Sequence, residues 1–145
     1  MGLSKECYAL DVALGCSGWV YGLSVIAGLL SKEGITKALL LAGDAKKRAQ
    51  GASDPLFGHA GTVTAVEYSE GAAGFKFHVG TDGSGFDAII TPDGGSRNQF
   101  TEDSLKLIQD SDGVTRHRLQ TVMKGMDVFA FGITTCLLYT SDAAD

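Results

Sequence analysis

Cysteine and proline are scarce in this chain, and positive charge is in deficit. The three cysteines, Cys7, Cys16 and Cys136, cannot all pair with one another. Their spacing fits neither a zinc site nor a disulfide framework, which points to a reducing compartment, the cytoplasm, and to no metal. Two prolines stand against twenty glycines. The glycines gather in loop-like stretches and along one apolar segment, so they serve close backbone approach rather than a flexible linker. Twelve Lys and Arg face seventeen Asp and Glu, a net charge of -5. That balance argues against a generally basic nucleic-acid surface.

A membrane-spanning run is missing as well. Residues 13–30 carry no charge, but Gly15, Ser17, Gly18, Gly22, Ser24 and Gly28 dilute them and no arginine flanks them. Glu6 and Asp11 occupy what would be the basic and apolar regions of a signal peptide. Glu6 also stands where a myristoylation signal needs Ser or Thr. What remains is 145 residues, 44% hydrophobic and 20% charged, the composition of one soluble globular domain.

Along the chain, Tyr8 to Val12 alternates as a short strand does, and Ser17 to Ser31 is apolar on nearly every face, as in a helix buried on all sides. Lys32-Glu33-Gly34 ends that helix, and "KALLLA", Lys37 to Ala42, is an apolar run of strand length. Residues 8–42 therefore have the proportions of a strand, a crossover helix and a second, parallel strand. Ala45 to Pro55 reads as a loop. Thr62 to Tyr68 and Phe75 to Val79 read as strands joined by "SEGAAG" in a hairpin. "GTDGSG" and "TPDGGSRN" are turn-rich. Thr101 to Gln109 reads as a short helix capped by Thr101, and Leu119 to Met123 as a strand before a turn at Lys124-Gly125. An apolar segment follows from Val128 to Ile133.

Cys16 falls where the strand pattern gives way to the helical one. A thiol in the first turn of a helix meets unpaired backbone N–H groups and the positive end of the helix dipole, and both favour thiolate, the nucleophilic form. Gly15 and Gly18 permit a tight turn, and the N–H of Cys16 is available to an oxyanion, an arrangement parallel to the strand-turn-helix elbow of serine hydrolases. The same residue has a plainer reading, because free cysteine often fills buried space.

The run "LDVALGCSGWVYGLSV" resembles the nucleophile segment of β-ketoacyl-acyl-carrier-protein (ACP) synthase III, a condensing enzyme of the thiolase superfamily. Cys16, Ser17, Gly18, Trp19, Tyr21, Gly22 and Leu23 carry the likeness. It continues through "KALLLAGD", "PLFGHAGTVTAVEY", "GTDGSG" and "MKGMDVFAFGI", over nearly all of residues 1–133. The resemblance implies an α/β, partial thiolase-like fold: a mixed sheet with a buried crossover helix carrying the cysteine at its N-terminus. It also implies an acyltransferase of fatty-acid or related biosynthesis that needs no cofactor beyond its substrates, acyl-CoA and malonyl-ACP, with acyl carrier protein as partner and a homodimer as the assembly. Cys16 would take the acyl group as a thioester before decarboxylative condensation. Phe57 matches a position lining the acyl pocket, or is a core aromatic.

The chain departs from the pattern in several places. The loop after Asp44 is short and lacks the family's Asp-Arg pair, and Arg48 reads as a solvated arginine rather than a substitute. His59 stands where many members have Asp. His78 reads as a strand residue and His117, in "RHR", as part of a charged face. The family's decarboxylating histidine and asparagine belong to a C-terminal half not present here, and a first strand-helix region precedes the point matched by Met1. "CLLYTSDAAD" resembles a translated sequencing adapter, which makes residues 134–145 a non-native tail; a native, disordered C-terminus is the alternative. An inactive fragment, serving at most as a dimerising or structural piece, is thus the second reading of function. Other readings fit less well. A papain-like peptidase lacks its second cysteine, "GTDGSG" has neither dinucleotide nor P-loop spacing, and Lys46-Lys47-Arg48 reads as a solvated loop rather than a carrier-docking patch.

Overall fold

The computed structural model describes residues 2, 4–44, 58–109 and 113–136. The chain divides into two compact units, Met1–His78 and Val79–Asp145.

In the first unit, helix α1 spans Gly18–Leu29, strand β1 Lys37–Asp44 and strand β2 Ala60–Glu67. The strands pair antiparallel along their whole length, from Lys37 opposite Glu67 to Asp44 opposite Ala60. β-Branched and aliphatic residues fill both, and alternation gives the sheet two unlike faces. Ala38, Leu40, Ala42, Thr64 and Val66 are half-buried, whereas Leu39, Leu41 and Val63 on the other face are exposed. Helix α1 covers the sheltered face. A Cβ added to Gly22 would stand 2.7 Å from Leu40 Cδ1, so helix and strand meet where Gly22 has no side chain. Gly22 and Leu23 are buried, and Leu23 is the buried apolar residue among the described residues.

Helix α1, β1 and β2 lie where the sequence places them. Three expectations change. Tyr8–Val12 forms no ladder, and Tyr8, Leu10 and Val12 are exposed. The parallel strand-helix-strand unit is therefore not formed among the described residues, and the parallel pairing seen there is the isolated bridge Leu30–Ile35. Phe75–Val79 likewise joins no strand among the described residues, although Phe75 and Phe77 stack with ring centres 5.9 Å apart. Alternation marks which face of a segment is apolar; it does not supply an edge to pair with. Nor is α1 buried all round, since Trp19, Val20, Val25 and Leu29 are exposed.

The second unit consists of short pieces. Strand β3 (Ile89–Ile90) pairs antiparallel with β6 (Val122–Met123), and β4 (Ile108–Gln109) with β5 (Thr115–Arg116). Helix α2 (Gly125–Phe131) starts at the expected Lys124-Gly125 turn, where the likeness of "MKGMDVFAFGI" to the family implies a helix start, and a wider helical turn, Gly132–Cys136, continues it. Thr134 Oγ1 donates to Ala130 C=O at 2.8 Å, so the expected tail boundary at 134 falls inside this helical stretch. The rest of the tail lies outside the described residues. The helix expected from Thr101 to Gln109 is one 3₁₀ turn, Glu102–Leu105. Thr101 and Ser104 close it in a reciprocal capping box, and Lys106 then turns extended into β4. Among the described residues no helix is long and apolar enough to cross a membrane.

Candidate active site

Residues 15–18 form a closed turn in which the Gly18 N–H donates to Gly15 C=O at 2.8 Å. Cys16 holds its second position and Ser17 its third. Ser17, with φ -87° and ψ 3°, has the dihedrals of the third residue of a type I turn, a sparsely populated region in which active-site residues are often found. The helix begins at Gly18, and the Tyr21 N–H donates to Ser17 C=O at 3.1 Å. Cys16 thus stands one residue ahead of the cap rather than in the first helical turn, because the type I turn takes up residues 15–18 before the helix propagates. Its thiol, like that of Cys7, is free and exposed.

The turn also fixes what lies beside the thiol. The first N–H groups of a helix have no intrahelical acceptor, and the peptide dipoles place partial positive charge at that end. Ser17 is the N-cap, yet its hydroxyl makes no capping bond. The positive mouth of α1 is therefore left to another acceptor, next to an exposed sulfur.

Phe57, the expected pocket residue, and Lys46, Lys47 and Arg48 lie outside the described residues. His59 is exposed, at an open depression formed with Gly43, Asp44, Ala60 and Gly61 where β1 ends and β2 begins. His78 is exposed in unladdered chain rather than in a strand. His117 is half-buried: its Nδ1 accepts the Leu119 N–H at 3.3 Å, and its own N–H donates to Gln120 Oε1 at 3.1 Å. It closes a turn between Arg116 and Arg118. Among the described residues no three His, Cys, Asp or Glu side chains are grouped to hold a metal ion.

Among the described residues, the titratable groups moved by their surroundings belong to the second unit. Asp93 Oδ2 accepts from Arg118 Nε at 2.8 Å and Oδ1 accepts from the same guanidinium at 2.9 Å. Ser104 Oγ adds a bond to Oδ2 at 2.8 Å. The Arg118 bond is the main reason that the Asp93 carboxyl lies below its ordinary range; Ser104 assists and burial opposes. Arg118 is raised in turn, first by that same bond. Lys124 Nζ donates to Asp87 Oδ2 at 2.6 Å, which lowers Asp87 and raises Lys124. These pairs join backbone that also bonds directly, Asp93 N–H to Arg118 C=O at 3.0 Å and Lys124 N–H to Ala88 C=O at 2.8 Å. They are struts.

One contact near Cys16 was not legible in the sequence. Trp19 Nε1–H donates to Thr64 Oγ1 at 3.0 Å, across 45 positions of chain. An indole N–H commonly finds a partner in a folded protein, and Trp19 itself is the signal for such a contact in the sequence.

The family model for 3-oxoacyl-[acyl-carrier-protein (ACP)] synthase III matches residues 10–83, a stretch that includes Cys16, α1, β1 and β2. A putative 3-oxoacyl-[acyl-carrier-protein] synthase 3 of Campylobacter jejuni is 33% identical over 118 residues, covering 76% of this chain and 33% of the relative. The β-ketoacyl-[acyl-carrier-protein] synthase III of Fusobacterium nucleatum is 30% identical over a 155-residue alignment, covering 100% of this chain and 43% of the relative. A crystal structure of a 3-oxoacyl-(acyl-carrier-protein) synthase III superposes with a TM-score of 0.79 at 34% identity, over 92% of this chain and 42% of that one. This chain thus spans less than half the length of these proteins, and its α/β architecture is that of the solved synthase. It belongs to the 3-oxoacyl-[acyl-carrier-protein] synthase III family.

Proposed function

We propose that the chain is the nucleophile-bearing part of a β-ketoacyl-ACP synthase III-like acyltransferase, with Cys16 as the acyl acceptor. The Cys16 thiolate attacks the thioester carbonyl of an acyl-CoA. The tetrahedral oxyanion collapses, the carbon–sulfur bond to CoA breaks, and CoA leaves as its thiolate, with the acyl group now a thioester on Cys16. In the second half-reaction malonyl-ACP loses CO₂, and the resulting carbanion attacks the acyl-Cys16 carbonyl. Cys16 is released as thiolate and a 3-oxoacyl-ACP two carbons longer is formed. The carrier protein and CoA are the partners of that cycle, carried out in the cytoplasm by a homodimer. Residues 1–133 form an incomplete condensing-enzyme region, and residues 134–145 are non-native. Phe57 is proposed to line the acyl pocket.

The observation that carries the acyl-acceptor reading is the exposed Cys16 thiol in a tight turn at the open N-terminal end of α1. The second function, an inactive piece, draws support from the exposed apolar side chains of the first unit and from the fraction of the relatives' length that is spanned. Radiolabelled acyl-CoA separates the two. Labelling that is stoichiometric, lost in Cys16→Ala and kept in Cys7→Ala supports the acyl acceptor. Labelling no faster than that of free cysteine, or unchanged in Cys16→Ala, leaves the inactive piece.

A further inference from the structure

Trp19 and Gly22 are three positions apart in α1 and so lie on one face of the helix. Leu40 and Thr64 are directly opposed in the β1–β2 ladder and so lie on one face of the sheet. The structure joins these two pairs. Gly22 meets Leu40, whose Cδ1 would stand 2.7 Å from a Cβ added there, and Trp19 Nε1–H donates to Thr64 Oγ1 at 3.0 Å. Apolar contact sets how close the helix comes to the sheet, but it is non-directional and does not set rotation or sliding along the axis. A hydrogen bond, with its narrow range of distance and angle, does. Trp19 is three residues after Cys16, and the intervening chain is the closed turn with its Gly18 N–H to Gly15 C=O bond. Any slide or roll of the first helical turn therefore moves Cys16 with it.

We propose that Thr64, acting through its hydrogen bond to Trp19, is a positioning residue that sets where Cys16 stands relative to an acyl donor. The proposal rests on the acyl-acceptor reading of Cys16. Thr64 touches no reacting atom. Its hydroxyl holds the indole, and the indole holds the turn. Reactivity that depends on orientation falls steeply when a group is displaced by about 1 Å, by as much as about a hundredfold. Reactivity toward a small, freely diffusing electrophile does not need that register.

The test uses Thr64→Val, which keeps the side chain's shape and removes the acceptor, and Thr64→Ser, which keeps it. Trp19 is the one tryptophan of the chain, so its indole N–H gives a single proton–nitrogen resonance. Expected for Thr64→Val are a displaced indole resonance, acyl transfer from acyl-CoA to Cys16 slowed about tenfold or more at saturating donor, and alkylation of Cys16 by iodoacetamide within twofold of the starting chain. Thr64→Ser should restore both the resonance and the transfer rate. Transfer at an unchanged rate in a Thr64→Val chain whose indole resonance has moved overturns the proposal. If Thr64→Val loses its structure, Trp19→Phe keeps a ring and removes the donor, and an unchanged transfer rate there is equally decisive against it. A starting chain that shows no Cys16-dependent acylation refutes the acyl-acceptor reading itself and removes this proposal with it.

Discussion

Gly43→Ala and Gly22→Ala form a pair whose ranking runs against the raw distances. A Cβ at Gly22 would lie 2.7 Å from Leu40 Cδ1, and one at Gly43 would lie 2.8 Å from Ala60 O and 3.0 Å from Gly61 Cα. The first is the shorter, yet its obstacle is the end of a flexible side chain. Leu40 can turn at a cost of about 0.5–1.5 kcal/mol if it is pushed off its rotamer. Alanine for glycine inside a helix returns about 0.8–1 kcal/mol, so Gly22→Ala should come out within about 1 kcal/mol of neutral. At Gly43 the obstacle is the backbone of the facing strand, with Gly61 directly opposite in the ladder. No rotamer change relieves it, and the two strands must part near their end. Overpacking of this kind costs about 1–3 kcal/mol. Glycine's own penalty in a strand offsets about 0.5–1 kcal/mol of that, which leaves a net loss of about 1 kcal/mol at the middle of both ranges and about 2.5 kcal/mol at most. Urea unfolding followed through Trp19 reports on the unit that holds both sites. With a slope of about 2 kcal/mol per molar, Gly43→Ala should lower the midpoint by about 0.5–1.2 M and Gly22→Ala by less than half of that. Equal midpoints for Gly43→Ala and the starting chain, or a larger loss in Gly22→Ala, would show that the β1–β2 approach is not as close as described.

Further outcomes concern other parts of the molecule. Ser104 is fully buried, donates to Asp93 at 2.8 Å and accepts the Thr101 N–H at 3.1 Å. Ser104→Ala should therefore cost about 1–2 kcal/mol, read as a lower thermal midpoint by circular dichroism; no shift would mean that the capping box holds nothing. The Asp93 carboxyl is lowered by Arg118, so its contribution is fully present above the ordinary carboxylate pKa of about 3.9 and is lost as pH falls through the lowered value. Arg118→Gln should flatten the acid-side loss of stability, though not abolish it, since Asp82 and Asp87 are also lowered; an unchanged acid profile would count against the pair. Brief iodoacetamide treatment of the native chain, followed by peptide mapping, should modify both Cys7 and Cys16, whereas a protected Cys16 would contradict the turn geometry. Leu39, Leu41 and Val63 are 49%, 56% and 65% exposed on one sheet face, an apolar patch of the kind that drives association. Leu41→Lys should reduce self-association in sedimentation without lowering the urea midpoint, and the reverse pattern would place Leu41 in the interior.

The elements that were legible in the sequence are those whose own residues settle the matter. "KALLLA" and the β-branched run from Thr62 have too few polar positions to be loops and sit at strand length, and they became β1 and β2. The apolar run after Ser17 is long enough only for a helix. Pairing was not legible, because it is a relation between segments. Tyr8–Val12 and Phe75–Val79 alternate as well as many true strands do, yet neither joins a ladder among the described residues. The β4–β5 hairpin escaped for the opposite reason: two residues on each side are too few for any period to register. Thr101 was legible as a cap, but Ser104 as its reciprocal partner shortened the expected helix to a single 3₁₀ turn.

The candidate site divides along the same line. Cys16 was visible because glycines at 15 and 18 bracket it at a change of periodicity, and both the turn and the exposed thiol depend on those local residues alone. What holds that turn in place was not visible, since Thr64 is one of two threonines in β2 and becomes distinct only through its register. Opposite Leu40 it faces α1 and receives the indole N–H. A slip of one residue would turn Val63 or Ala65 toward the helix instead, and neither carries an acceptor on its side chain. The chemistry of the site is thus written locally, and its placement is written in the pairing of two strands far from it in sequence. That is why a change confined to β2 should be able to slow transfer to Cys16 while leaving the thiol itself as reactive as before.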